Sequence, residues 1–406
     1  MVRWLVDKVC PPRLGRGFRW LLASSWATNL SDGLALAAGP LLVASETSDP
    51  VLVAAAGMLQ WLPWVLFGLH AGVIADRLDR RRLVVVVNLV RAGVLLVLAS
   101  SVATGVVDVW VVLGAMFALG TAETLVDISG GTLLPMIVAS DGLGVANARL
   151  SIGYRTFNQL AGPPIGAFLF AVGRAVPFAA QALLVVAGAV LVARIGSTTL
   201  PAPEVRTHVR SEIFEAARWL WNHKAIRMLT LTVMTFNVTF GSVLAIEVLY
   251  ADQRLGLDAV GFGFLTTVQA VGGISGAAAY GWLEPRLGMA NLMRIGLAIE
   301  TTSHLVLALT TTPAVAMAVL CVFGAHESIW GTTEATIRQR AVPSALLGRV
   351  GSIYMLGLMG GLVVGAAIGG LLARTFGITS PFWFAFGGSI VILMTIWRRL
   401  GDIAAA

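Results

Sequence analysis

Long apolar runs dominate this chain, and short polar segments separate them. Twelve runs are long enough to cross the hydrocarbon core of a bilayer, which takes about 20 apolar residues of α-helix. They cover approximately 19–43, 51–74, 83–104, 108–137, 145–171, 176–196, 226–250, 257–283, 291–311, 313–338, 347–373 and 381–398. The pattern predicts an all-α membrane protein with twelve transmembrane helices.

Composition agrees with that prediction, since 57% of the residues are hydrophobic and 12% are charged. A soluble domain carries about 25% charged residues. The connecting segments are too short to hold a soluble domain. The first 40 residues resemble a signal peptide in charge order, but Asn29, Ser31 and Asp32 interrupt the apolar run, so we interpret it as helix 1.

The net charge of +7 reflects membrane orientation rather than nucleic-acid binding. With the N-terminus inside, the inner segments hold most of the basic residues, as the positive-inside rule requires. The outer loops then hold only Arg174, Arg254 and Arg374. We therefore expect both termini in the cytoplasm and a multi-pass protein of the bacterial inner membrane.

The sequence carries no pattern of an enzyme, an ATP-driven pump or a metal site. No nucleotide-binding G-x-x-x-x-G-K-[ST] loop and no nucleophile motif is present. The two cysteines, Cys10 and Cys321, match neither metal-ligand nor disulfide spacing. We expect no cofactor, no metal and no enzymatic activity.

The chain repeats itself at a shift of about 204 residues. GTAET (120–124) aligns with GAHES (324–328), GPPIGAFL (162–169) aligns with GAAIGGLL (365–372), and RAG (91–93) aligns with RIG (294–296) after a one-residue gap. We predict two six-helix halves, 1–196 and 225–406, joined by a cytoplasmic linker, 197–224. The stretch SEIFEAARWLWNH (211–223) in that linker predicts an amphipathic surface helix. Paired halves of this kind are typical of alternating-access transporters.

The segment GVIADRLDRRRL (72–83) resembles the signature loop between helices 2 and 3 of the major facilitator superfamily. The positions that match are Gly72, Asp76, Arg77, Arg80 and Arg81. Asp79 stands where that superfamily usually has glycine. The resemblance implies a twelve-helix transporter with this loop as a cytoplasmic gate.

Two further resemblances narrow the branch. GPPIGA (162–167) resembles the antiporter motif of helix 5, with Gly162, Pro163 and Gly166 matching, and it implies export rather than uptake. NARLS (147–151), RWLWNHKAIR (218–227) and LLGRVGSIY (346–354) resemble the branch that contains the enterobactin exporter and macrolide efflux pumps.

In the gating interpretation, Asp76 would meet a helix N-terminus, where a carboxylate is stabilised by about 0.3–1 kcal/mol. Arg80 or Arg81 could pair with Asp127 when the cytoplasmic side is closed. The competing interpretation is a basic loop that only follows the positive-inside rule.

Ionisable residues at membrane depth are functional candidates because burying a charge there costs several kcal/mol. We predict proton coupling by Asp32, Glu123 and Glu327, of which the two glutamates are repeat partners. Gating hydrogen bonds, polar packing or pairing with Arg155 are alternatives. Glu300 and His304 lie four residues apart on helix 9; a buried hydrogen bond is the favoured interpretation, with a proton relay or a metal as alternatives.

Aromatic and amide side chains on helices 1, 2 and 7 predict a substrate cavity for flat, lipophilic or cationic molecules. The candidates are Trp26, Asn29, Trp61, Trp64, Phe236 and Asn237. The alternative is that they pack or anchor the helices at the membrane interface.

The sequence therefore predicts a secondary active exporter of lipophilic or amphipathic small molecules, driven by protons. A siderophore or metabolite exporter of narrow range, an uptake system, and a non-transporting sensor or scaffold are the alternatives. The expected partners are a small-molecule substrate, protons and the lipid bilayer, without nucleic acid, and we expect a monomer.

Overall fold

A computed structural model describes residues 14–139, 142–196, 209–343 and 346–404 of the chain; side chains at 69–77, 132, 209–212 and 404 are excepted. All regular structure in these ranges is helical. We number the helices to follow the apolar runs. They are α1 (Gly15–Glu46), α2 (Pro50–Arg77), α3 (Arg80–Ala103), α4 (Val109–Ile137), α5a (Leu143–Gly153), α5b (Gly162–Val172), α6 (Val176–Ala193), the linker helix (Val209–Asn222), α7a (Lys224–Leu244), α7b (Glu247–Gln253), α8 (Ala259–Leu287), α9 (Met289–Leu309), α10 (Pro313–Ala341), α11 (Leu347–Phe376), α12 (Ser380–Ile396) and α13 (Leu400–Ala404).

Nine of the described helices are long and apolar enough to cross a membrane by themselves. Three other apolar runs correspond to α1, to α5a with α5b, and to α12. The predicted all-α membrane fold is thus confirmed. The count of twelve crossings and the cytoplasmic position of both termini stay predictions.

Helix 5 is not one continuous α-helix. A π-helical segment, Tyr154–Ala161, joins α5a to α5b. Pro163 and Pro164 follow it and remove two successive backbone donors, which favours a widened turn just before them. The predicted run 145–171 is therefore two α-helical parts joined by a π-helical turn.

The linker helix, Val209–Asn222, lies where the amphipathic pattern predicts a helix. Its apolar residues divide between two environments. Ala216 and Leu220 are buried in protein, whereas Phe214 and Trp221 are exposed. Exposed aromatic side chains on an otherwise polar helix suit the membrane interface.

The described chain divides into two compact units. Unit 1 comprises Met1–Thr47, Leu66–Ala202 and Phe262–Thr267, and unit 2 comprises Ser48–Val65, Pro203–Gly261 and Val268–Ala406. The halves 1–196 and 225–406 and the linker 197–224 stay a prediction. Each unit has its own apolar core, around Phe18 and Leu133 in unit 1 and around Phe236 and Leu297 in unit 2.

Glycines bring the helix backbones together in both units. In unit 1, a Cβ on Gly162 of α5b would lie 2.4 Å from the Cα of Gly33 on α1. In unit 2, a Cβ on Gly365 of α11 would lie 2.3 Å from the carbonyl oxygen of Val238 on α7a. Since Gly162 and Gly365 are partners in the sequence repeat, the repeat corresponds to one packing arrangement used twice.

Candidate functional site

A buried ion pair joins α1 to α3 in unit 1. The Arg91 guanidinium donates a hydrogen bond to the Asp32 carboxylate. Only 6% of the Arg91 side chain and 16% of the Asp32 side chain are exposed. Arg91 is the twelfth of the 24 residues of α3, so it sits in the middle of an apolar helix. A charge at that depth requires such a partner because unpaired ions are costly in a membrane.

Two more carboxylates lie within electrostatic range of Arg91, those of Glu123 and Asp127 on α4. Glu123 is the middle residue of α4, and Asp127 lies one turn nearer its C-terminal end. Glu123 is half-buried and Asp127 is exposed. The guanidinium therefore bonds to one carboxylate and lies within electrostatic range of two others. We call Asp32, Arg91, Glu123 and Asp127 the α1–α3–α4 cluster.

The sequence interpretation named Asp32, Glu123 and Asp127 but did not include Arg91. It used Arg91 only as part of the repeat match at RAG (91–93). The repeat partner it gave, Arg294, lies five residues into α9 rather than at its middle. The signal was available: a lone arginine inside the apolar run 83–104.

The gating-loop residues are only partly described. Gly72, Asp76 and Arg77 have side chains outside the described residues. The Arg81 guanidinium donates to the carbonyl oxygen of Ala193. Among described residues Asp127 forms no ion pair with Arg80 or Arg81, and it lies within electrostatic range of Arg91.

Arg80 donates to the Met136 sulfur at 3.2 Å. Asp79, the departure from the loop motif, caps the start of α3 by accepting from the Arg82 amide at 3.1 Å. The pairing of Asp127 with this loop, and the gate itself, stay predictions.

The helix 5 motif lies at the contact of α1 with α5b. Gly162, Pro163 and Gly166 are buried, and a Cβ on Gly166 would lie 2.4 Å from the carbonyl oxygen of Leu34. The motif thus serves close packing, with a π-helical turn on its N-terminal side. Its association with export is unaffected by this geometry and stays a prediction.

Asn29 and Trp26 lie on α1, three and six residues before Asp32. The Trp26 ring packs against Phe157 of the π-helical segment, with ring centroids 5.3 Å apart. Its indole N–H is buried without a hydrogen-bond partner in the described part of the chain. Asn29 donates to the carbonyl oxygen of Ser25 at 2.7 Å. Both predicted substrate-cavity residues are half-buried and lie on the same helix as Asp32 of the α1–α3–α4 cluster.

The predicted substrate-cavity residues in unit 2 differ in how deeply they are buried. Trp61, Trp64 and Asn237 are half-buried. Phe236 is a core residue, 6% exposed and 6.0 Å from the Trp330 ring. Its burial leaves little surface for a ligand, so the packing interpretation fits Phe236 better. A substrate role for the other three stays a prediction.

A second polar cluster occupies unit 2, around α9 and α10. Glu327, the middle residue of α10, accepts a hydrogen bond from Gln269 of α8 at 3.2 Å. Glu300 of α9 lies between two imidazoles, 3.3 Å from His326 Nε2 and 3.7 Å from His304 Nε2. We call Glu300, His304 and His326 the His–Glu–His cluster.

Sequence reasoning found Glu300 with His304 but missed His326. No group of three or more potential ligand side chains in the described ranges is arranged to hold a metal ion. The metal alternative for Glu300 and His304 is therefore not supported.

Comparison with known proteins assigns the chain to a class. Residues 10–400 match the model of the family described as "Transmembrane secretion effector", which belongs to the major facilitator superfamily. The chain is a member of this family, and the predicted superfamily is confirmed.

Two curated relatives of the chain carry transporter names. The chain is 24% identical to macrolide efflux protein A of Streptococcus pyogenes over 375 residues, which is 86% of this chain and 87% of that one. It is 34% identical over 106 residues to an uncharacterized MFS-type transporter of Mycobacterium tuberculosis. That match spans 25% of this chain and only 24% of the mycobacterial protein.

Solved structures share the fold. The nucleoside transporter NupG superposes with a TM-score of 0.78 at 11% identity, covering 95% of this chain and 99% of that one. A bacterial homologue of the iron transporter ferroportin, in an inward-facing state, gives 0.75 at 16% identity, covering 95% and 98%. The protein is a multi-pass transporter of the major facilitator superfamily.

Proposed function

We propose that this transporter is a secondary active exporter of lipophilic or amphipathic small molecules that works by proton antiport and alternating access. The observation that carries the proposal is the α1–α3–α4 cluster. Ionisable side chains in the middle of apolar membrane helices are rare and mark ion or substrate pathways.

The cluster offers a physical means of coupling. Protonation of Asp32 removes the charge that holds Arg91, and Arg91 then turns toward Glu123 and Asp127. A proton and a cationic substrate both neutralise the same carboxylates, so they compete for one site. Competition of this kind couples the two fluxes, because each ligand lowers the affinity for the other.

Charge also supports a substrate class. With all members ionised, the cluster holds three negative charges and one positive charge. A net negative site with Trp26 and Phe157 beside it favours amphipathic cations, which combine a positive charge with an aromatic or apolar body. The name of the streptococcal relative supports export of such bulky, drug-like molecules.

We place the protein in the bacterial inner membrane as a monomer with both termini in the cytoplasm. A narrower exporter of a siderophore or metabolite would use the same cluster with a restricted cavity. A non-transporting sensor or scaffold would have no need of a charged cluster at mid-helix.

The test is accumulation of the cationic dye ethidium in inverted membrane vesicles whose lumen is acidified. The proposal expects vesicles with the protein to accumulate ethidium, and nigericin, which collapses the pH gradient, to abolish accumulation. A panel of cationic, neutral and anionic amphiphiles in a thermal-shift screen then defines the substrate class. Accumulation that ignores nigericin would overturn proton antiport, and no transport of any panel member would favour the scaffold.

A further inference from the structure

The His–Glu–His cluster of unit 2 is buried deeply and uses little of its hydrogen-bonding capacity. His304 and His326 are 1% and 5% exposed, and Glu300 is 8% exposed. Neither ring nitrogen of His304 forms a hydrogen bond among the described residues, and the same is true of His326 Nδ1. Buried polar atoms without partners carry a free-energy cost, so their retention indicates a use.

The fold makes specific room for this cluster. A Cβ on Gly296 of α9 would lie 2.5 Å from His326 Nδ1, so only glycine leaves space for that ring. Trp330 and Phe323 flank His326 on α10, with ring centroids 6.1 and 5.9 Å from the imidazole. The imidazole is therefore held in one orientation, with Nε2 toward Glu300.

His304 also borders a small cavity inside unit 2. Phe240, Glu247, Gln269 and Phe323 line it as well. The surface that faces this cavity is almost wholly apolar. Gln269, which lines the cavity, also donates to Glu327.

The positions of the cluster residues along their helices give their order from the outer side of the membrane inward. In the predicted orientation α9 runs outward, and His304 lies five residues from its outer end at Leu309, or about 8 Å. Glu300 lies one turn deeper, and it contacts His326 of α10. Glu327 follows His326 and lies within electrostatic range of both His326 and Glu300.

Few other titratable groups surround the His–Glu–His cluster in the described part of the chain. On α7b, Glu247 lines the cavity together with His304, and the Tyr250 hydroxyl donates to the carbonyl oxygen of Leu307. α8 contributes the neutral Gln269, and α12, which packs on α9, has no titratable residue. Glu327 completes the set on α10.

We propose that the His–Glu–His cluster is a proton-binding relay of unit 2, in which a proton taken up at His304 passes through Glu300 to His326. This inference rests on the proposed proton antiport. An imidazole accepts a proton at one nitrogen and gives one up at the other, and a carboxylate between two imidazoles passes it on. A proton that adds to one ring nitrogen of His304 releases the proton on the other nitrogen to Glu300, and Glu300 passes a proton to His326 Nε2. His326 is then an imidazolium paired with the Glu300 carboxylate, and the starting tautomers return when the proton leaves by the same path.

The test uses Glu300→Gln, His304→Gln and His326→Gln in inverted vesicles, with Glu284→Gln on α8 as a matched control outside the cluster. Two activities are compared: ethidium accumulation driven by the pH gradient, and ethidium exchange without a gradient. The relay predicts that gradient-driven accumulation falls by about tenfold while exchange persists, as expected when coupling alone is lost. His304→Gln is the cleanest variant, because that ring has no hydrogen bond to lose.

Wild-type accumulation in all three variants would overturn the relay and leave the antiport intact. Loss of both activities in His304→Gln with an unchanged unfolding temperature would also overturn it, in favour of a substrate-binding role. If the wild type itself shows no gradient-driven accumulation, the proposed function fails instead.

A fluorescence measurement, which requires no transport, tests the protonation of His326 directly. Protonated imidazole quenches an adjacent indole, and the fluorescence difference between the wild type and Trp330→Phe isolates Trp330. The relay predicts a pH-dependent step in that difference which His326→Gln removes. A flat difference from pH 5 to pH 9 would show that His326 does not titrate and would overturn the relay.

Discussion

Arg91 and Asp32 form the ion pair that ties α3 to α1 within unit 1. Removing one partner leaves an uncompensated buried charge, which destabilises proteins by about 3–5 kcal/mol, whereas removing both avoids that cost. The pair therefore predicts strong energetic coupling between the two positions.

The first prediction is a double-mutant cycle of Arg91→Met and Asp32→Asn, measured by SDS-induced unfolding in mixed micelles. We expect each single variant to be less stable than the wild type and the coupling energy to reach about 1 kcal/mol or more. Arg174 and Glu46, an ion pair with a 44% exposed arginine, supply the control cycle, for which we expect about 0–1 kcal/mol. Additive effects at positions 91 and 32 would contradict the pairing.

The second prediction concerns the glycine contacts of α5b. Gly162→Ala places a methyl group against Gly33, and we expect a loss of about 1–3 kcal/mol from overpacking. Gly93→Ala on α3 is the matched control, because a Cβ there meets nothing within 4 Å. Alanine favours helix over glycine by up to about 1 kcal/mol, so the control should be neutral or stabilising. Equal unfolding transitions for both variants would refute the close approach.

Most of the fold could be predicted from the sequence because hydrophobic length is a strong signal. The apolar runs located the helices of the described chain to within a few residues, and the glycine repeat proved to be one contact used in both units. The π-helical turn at Tyr154–Ala161 was not predicted, although Pro163 and Pro164 were visible. Loss of backbone donors indicates strain but does not fix which wider turn relieves it.

The site was only half predictable. Asp32, Glu123 and Glu327 stand out as acids in apolar runs, and their depth follows from helix length alone. Their partners do not, because Arg91 and Gln269 come from other helices whose rotation the sequence leaves open. The aromatic candidates show the same limit, since Phe236 proved to be a core residue.

The third prediction concerns Tyr354 on α11, whose hydroxyl donates to the Glu334 carboxylate on α10. The Arg338 guanidinium lies over the Tyr354 ring, 4.2 Å from its centroid. Tyr354→Phe leaves the carboxylate without its donor, and we expect the protein to lose about 1–3 kcal/mol of stability.

Tyr280→Phe on α8 is the control, because the Tyr280 hydroxyl forms no hydrogen bond with the described residues. Thermal unfolding in detergent compares the two variants. Equal unfolding midpoints for Tyr354→Phe and Tyr280→Phe would show that the contact between Tyr354 and Glu334 does not stabilise the protein.

The central claim, proton antiport through the α1–α3–α4 cluster, is tested most directly by the pH-gradient dependence of ethidium accumulation in inverted vesicles for Asp32→Asn against the wild type. Wild-type accumulation should rise with the gradient. In Asp32→Asn, which cannot exchange a proton at this position, the dependence should vanish while gradient-free exchange of ethidium remains. Accumulation that rises with the gradient equally in both proteins would contradict the claim.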